Sequence, residues 1–221
     1  MNILGLDTST AGSAAAVLRA DGGAFARDPA PEEAAGRPTH SAQLLPRAAA
    51  VMDEAGLTWA QLDAVAVGVG PGAFTGLRIG VATARALAAA HGLELRPVSS
   101  LAALADGIDA PLRLPLIDAG RGEVFAALYE GDRERWPAFA AAPGAVAERV
   151  REAGLTPLGA GNGSVRWADA FKAGGVRVVP AGQQAHVPSA EAICRLALEV
   201  SAAPAEAVLP QYLREPDVQA P

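Results

Sequence analysis

Gly68-Val69-Gly70-Pro71-Gly72-Ala73-Phe74-Thr75-Gly76-Leu77-Arg78-Ile79-Gly80 reads as a strand that runs through a glycine loop into a helix. Ala64 to Val69 is an apolar run of strand length. Gly70-Pro71-Gly72 is turn chemistry, since proline fixes φ and glycine accepts a positive φ or a close backbone neighbour. The helix is expected from near Thr75 to Gly92, a residue suited to the left-handed stop. Gly76, Gly80, Ala84 and Ala88 recur every four residues and leave one ridge nearly bare, so another helix could approach it closely. Leu77, Ile79, Val81 and Leu87 make the rest apolar, and Arg85 is the only charge between Arg78 and His91. A helix without a wide polar face is expected to be covered on several sides. Ordinary core in an Ala-rich chain and cover by a second protein both satisfy that pattern.

A glycine loop before a helix suits anions. A P-loop also needs a lysine after its last glycine, and the only lysine is Lys172. That motif is excluded. Gly68, Gly70 and Gly72 fit a dinucleotide fingerprint with Glu94 as the ribose acid, but the unit is not the first strand and a proline interrupts it.

The chain has 221 residues, 51% hydrophobic and 19% charged, which bounds it as globular with one large core or two small ones. A net charge of −6 argues against a broad nucleic-acid footprint. Cys194 is the only cysteine, which leaves no internal disulfide and no Cys-based zinc site. The sequence offers no signal-like N-terminus and no apolar run of spanning length, so a cytoplasmic setting away from membranes is expected.

In chain order, Asn2 to Leu6 and Ala14 to Leu18 read as strands, with Asp21-Gly22-Gly23 as a hairpin turn into a third. Thr39 or Ser41 opens a helix that ends near Ala55, with a kink expected at Pro46. Thr58 and Gln61 form a capping box. Leu93 to Val98 is a strand, Ser99 or Ser100 caps a short helix, and Pro111 to Pro115 is expected to be a linker. Further on, helices are expected around Val146–Ala153 and Val165–Lys172, strands at Thr156–Ala160 and Val176–Val179, and a last helix capped by Ser189.

The chain echoes itself. Asn2–Leu18 is an apolar strand, Asp7, small residues, then an apolar strand. Leu114–Tyr129 repeats this with Asp118 and Ala119-Gly120-Arg121-Gly122. One such aspartate is best read as a turn cap. Two in matching places suggest a fold built on a nucleotide-site template. Two α/β halves are therefore expected, 1–108 and 109–221, with a C-terminal tail that could return to the first.

Catalytic machinery is not legible. His40, His91 and His186 have no metal-ligand spacing, and no G-x-S-x-G occurs. Glu32-Glu33 and Asp53-Glu54 read as solvated.

ILGLDTST (3–10), THSAQLLP (39–46), GVGPGAFTGLRIG (68–80), DAGRGEVFAALY (118–129) and LPQYLR (209–214) together resemble the TsaB (YeaZ) family. The resemblance implies two RNase H-like domains of the actin/sugar-kinase/Hsp70 (ASKHA) type. It implies a non-catalytic scaffold that pairs with TsaD, joined by the ATPase TsaE, for threonylcarbamoyl transfer to the tRNA adenosine beside the anticodon. Contact with tRNA would come only through the complex, and a homodimer is plausible in isolation. The implied interface is a helical bundle, placed here on His40, Leu44, Leu45, Ala48, Met52, Gly76, Arg78, Gly80, Ala84 and Leu87. TsaD-like chains carry an H-x-x-x-H metal pair; here His40 is followed by Leu44, so no metal is expected. No cofactor is expected to be required, with Asp7, Thr8, Ser9, Asp118 and Gly120 as a vestigial nucleotide cleft. The rival reading is a free-standing actin-fold ATPase or kinase that uses Asp7 and Asp118.

Overall fold

The structure is a computed structural model and describes residues 1–213. Its first sheet contains β1 (Ile3–Asp7), β2 (Ala14–Leu18), β3 (Ala24–Arg27), β4 (Ala64–Gly68) and β5 (Glu94–Val98), in the order β3-β2-β1-β4-β5. The pairs β1–β2 and β2–β3 are antiparallel; β1–β4 and β4–β5 are parallel. The second sheet contains β6 (Leu112–Gly120), β7 (Glu123–Glu130), β8 (Arg133–Ala141), β9 (Leu158–Ala160) and β10 (Arg177–Val178), in the order β8-β7-β6-β9-β10. Its strand directions match the first: two antiparallel pairs, then two parallel ones. The echo seen in two hairpins thus extends to whole sheets.

The helices are α1 (Pro31–Ala34), α2 (His40–Ala55), α3 (Phe74–His91), α4 (Ser100–Asp106), α5 (Pro143–Glu152), α6 (Asn162–Arg166), α7 (Ala168–Ala173) and α8 (Ala190–Ala197). Gly56 and Gly92 close α2 and α3 in the left-handed region, and Ser99 caps α4 by accepting from the Ala102 N–H. Central strands β1 and β4 are buried throughout, as apolar runs flanked on both faces must be. On one face, Leu4, Leu6, Val65 and Val67 pack against Leu44, Val51, Val81 and Ala84 of α2 and α3. On the other, Ile3, Ala16, Ala64 and Ala66 pack against Ile193 and Cys194 of α8. Helix α4 separates the sheets: Ala103 joins the first sheet's core, while Leu101 and Leu104 pack on Ile117 and Phe125 of the second.

Helix α8 comes from beyond the second sheet yet covers the first. At Gly5 it approaches so closely that a β-carbon would lie 2.6 Å from both Ala190 O and Cys194 Sγ. Asp28 caps its start by accepting from the Ala190 N–H at 2.9 Å, in place of the side-chain cap expected from Ser189. Arg96 donates to the carbonyls of Ala197 and Val200 at its end, at 2.9 and 2.8 Å. Burial pushes the Cys194 thiol up to about 12, which keeps it inert.

Two expectations need correction, and one strand was not expected. Pro111 to Pro115 is no linker: Leu112 onward belongs to β6, where Pro115 pairs with Ala160. The nine-residue β8 carries no alternating apolar pattern that would announce it. The helix expected over Val165–Lys172 is two short ones, broken at Trp167. No helix among the described residues is long and apolar enough to cross a membrane.

Candidate functional site

Asp7 ends β1 beneath the glycine loop and is 2% exposed. Its Oδ1 accepts from the Ser9 N–H at 2.8 Å and the Ser9 hydroxyl at 2.6 Å. Its Oδ2 accepts from the Ser100 hydroxyl at 2.7 Å, and Ser100 Oγ in turn accepts from the Gly70 N–H. A β-carbon on Gly68 would fall 1.9 Å from Asp7 Oδ2, which is why glycine ends β4. Gly70 has a φ of 105°, which a side chain would strain. Thr8 and Ser9 are as buried as Asp7. Both carboxylate oxygens of Asp7 are thus engaged in hydrogen bonds within the chain. Asp7, at the place where a vestigial cleft is expected, works as a polar knot tying β1, the loop after β4 and α4. Burial pushes its carboxyl above the usual range, against the lowering by the Ser100 and Ser9 hydrogen bonds.

Asp118 occupies the matching place on β6. Its Oδ2 accepts from Arg166 at 2.7 Å, and its N–H donates to the Asn162 side chain at 2.9 Å. Gly120 lies two residues on with φ 70°, opening a turn in which Arg121 is also left-handed. A pocket of about 220 Å³ is lined by Pro31, Glu32, Asn162, Val165 and His186; none of the expected cleft or interface residues lines it. His186 is structural: its Nδ1 accepts from the Gly161 N–H, and its Nε2 faces the carbonyls of Val179 and Pro180.

The small-residue ridge of α3 faces inward, which corrects the expected interface. A β-carbon on Gly76 would meet Thr8 O at 2.2 Å, and one on Gly80 would meet Thr8 Oγ1 at 2.2 Å. Ala84, Leu44, Ala48 and Met52 are core, and His40 is buried. His40 Nδ1 lies 2.9 Å from Ser13 Oγ, its Nε2 has no partner among the described residues, and burial pushes its pKa down. Of the ten expected interface residues, Leu45 and Arg78 are exposed and Leu87 is half-buried.

A second small-residue row lies opposite. Phe74, Arg78, Ala82, Ala86 and Ala89 form the exposed face of α3, and Ala42, Leu45, Pro46 and Ala49 that of α2. Alanine at nearly every turn of both faces made inside and outside look alike in sequence. The C-terminal segment also reaches this region. Gln211 donates its N–H to Val69 O at 2.7 Å, and the Tyr212 ring sits 5.1 Å from that of Phe74. Arg214, the last residue of LPQYLR, lies outside the described residues.

Two sheets of one topology, each opening with an antiparallel hairpin whose first strand carries an aspartate, define an α/β protein of two RNase H-like domains, of the ASKHA type. A family model described as TsaD, tRNA N6-adenosine threonylcarbamoyltransferase, matches residues 29–163. Over 228 aligned residues the chain is 31% identical to the Escherichia coli tRNA threonylcarbamoyladenosine biosynthesis protein TsaB, covering 97% of this chain and 95% of that one. The chain belongs to the TsaB (YeaZ) family. A solved Pseudomonas aeruginosa structure, described as an uncharacterized protein similar to peptidase YeaZ, superimposes with a TM-score of 0.80 at 31% identity, covering 96% of this chain and 99% of that one. A Mycobacterium tuberculosis protein described as uncharacterized is 45% identical over 104 residues; the match covers 47% of this chain and about half, 49%, of that relative's length.

Proposed function

We propose that this chain is a non-catalytic scaffold in tRNA threonylcarbamoyladenosine biosynthesis, pairing with the TsaD transferase through the outward faces of α2 and α3. The observation that carries the reading is the exposed small-residue row of α3 beside exposed Leu45. A face of alanines lets a second helix pack closely, and leaving it in water is unfavourable. The closed knot around Asp7 supports a non-catalytic role, since the position that would face a metal–phosphate is spent on internal hydrogen bonds. On this reading the chain needs no cofactor, works in the cytoplasm, meets TsaE and tRNA only in the complex, and can self-associate through the same face when alone. Residues 1–108 and 109–221 are the proposed domains, with α8 and the segment after it returned to the first.

Size-exclusion chromatography with light scattering, on the chain alone and mixed with TsaD from the same source, tests the proposal. The expected result is a new one-to-one peak and negligible ATP turnover by the chain alone. Two unchanged peaks with folded TsaD, or robust turnover abolished by Asp7→Asn, would overturn it.

A further inference from the structure

Arg78 is a cation held in place before any partner arrives. Its guanidinium carbon lies 3.7 Å from the Phe74 ring centroid, and its Nε donates to the Tyr212 hydroxyl at 3.0 Å. Among the described residues it has no carboxylate within ion-pair distance. Phe74 and Tyr212 are 44% and 43% exposed, which is high for aromatic rings. Tyr212 is held from the far end of the chain by its neighbour Gln211, whose N–H donates to Val69 O and whose carbonyl lies where a β-carbon on Gly70 would come within 3.3 Å.

We infer that this platform is the specificity element of the proposed interface, and that its occupant is a carboxylate side chain on the partner's helix. The inference rests on the pairing reading. The argument is charge complementarity set in an apolar surface. The Phe74 ring beneath it and the Nε bond to Tyr212 hold the guanidinium, and neither terminal nitrogen has a hydrogen bond among the described residues. A planar fork with one edge taken matches a carboxylate in two-point contact. Arg78 lies one turn before Ala82 on the exposed row. A helix packed along Ala82, Ala86 and Ala89 would therefore bring a residue of its own over the platform. Preorganisation matters because an arginine immobilised on binding loses side-chain entropy, whereas this one is already immobilised. Tyr212 is on this view a positioning residue, so the chain's last described turn sets how its first half meets a partner.

The test measures association of the full chain with TsaD from the same source, at two salt concentrations, for the parent, Arg78→Gln and Tyr212→Phe. Arg78→Gln is expected to weaken binding at least about tenfold at low salt and to flatten its salt dependence. Tyr212→Phe keeps the ring and removes the hydroxyl; the expected loss is several-fold, with the salt dependence retained. Thermal unfolding of both variants alone is expected to match the parent. A normal parent complex with both variants unaffected overturns this inference and leaves the pairing reading intact. No complex with the parent overturns both. Loss confined to a homodimer of this chain, with TsaD binding intact, also overturns it, because the occupant would then be a second copy.

Discussion

The hydroxyl of Thr8 sits beneath Gly80, where a β-carbon would approach Oγ1 to 2.2 Å, and donates to the Gly76 carbonyl at 2.7 Å. Helix α3 is thereby seated on the end of β1 with no layer of side chains between. The glycines serve the fold of this chain rather than the approach of another.

Gly80→Leu should therefore damage folding first. Overpacking against backbone-close neighbours costs about 3 kcal/mol, the upper end of the usual range. Urea denaturation is expected to show the loss for the isolated chain. Unchanged stability with reduced TsaD binding would instead return the ridge to the interface.

Ala82→Arg gives the opposite pattern. The position is exposed, so stability should stay within about 0.5 kcal/mol of the parent. A long charged side chain on the outward row should abolish close helix packing, read as loss of the mixed peak with TsaD. An intact complex would move the interface elsewhere.

The carboxyls of Asp7 and Asp28 are both pushed above the ordinary value of 3.8, chiefly by burial. The folded chain thus holds these protons at a pH where the unfolded chain has released them. Stability from these groups grows as pH falls from neutral through their folded-state values, and is complete below 3.8. Asp7→Asn removes one of them. Compared by urea midpoint, the parent should gain on Asp7→Asn as pH falls from neutral towards 3.8. His40, with its pKa pushed down by burial, acts in the opposite sense but is common to both chains and cancels. Asp7→Ala should cost about 1–3 kcal/mol at either pH, since Ser9 and Ser100 lose their acceptor.

Arg96→Ala strips the end of α8 of two capping hydrogen bonds. Hydrogen exchange at the first-sheet amides facing α8 should rise, with a stability loss of about 1–3 kcal/mol. Exchange confined to the last turn of α8 would mean that its apolar face alone holds it.

The sequence made several elements plain because each carries its own local chemistry. Glycines after Ala55 and His91 stop two helices, and apolar runs ending in Asp7 and before Gly70 mark central strands. The edge strand β8 escaped because Arg133-Glu134-Arg135 and Pro137 resemble a loop; its pairing with β7 supplies what local pattern lacks. The seat of α8 on the first sheet also escaped, since nothing near Ile193 announces a contact with Ile3. At the candidate site, Arg78 was visible as a charge on an apolar helix. Its bond to Tyr212 was not, because 134 residues separate Arg78 from the hydroxyl it bonds.

The return of α8 to the first sheet has a consequence for synthesis. A ribosome delivers Ile3, Ala16, Ala64 and Ala66 long before Ile193 and Cys194, which cover them. Until then one face of the first sheet stays uncovered by its own helix, while the second sheet already has α5 and α7 to pack against. The first half to be translated is thus the last to be finished, and a chain halted before residue 190 would leave the exit tunnel with that face bare.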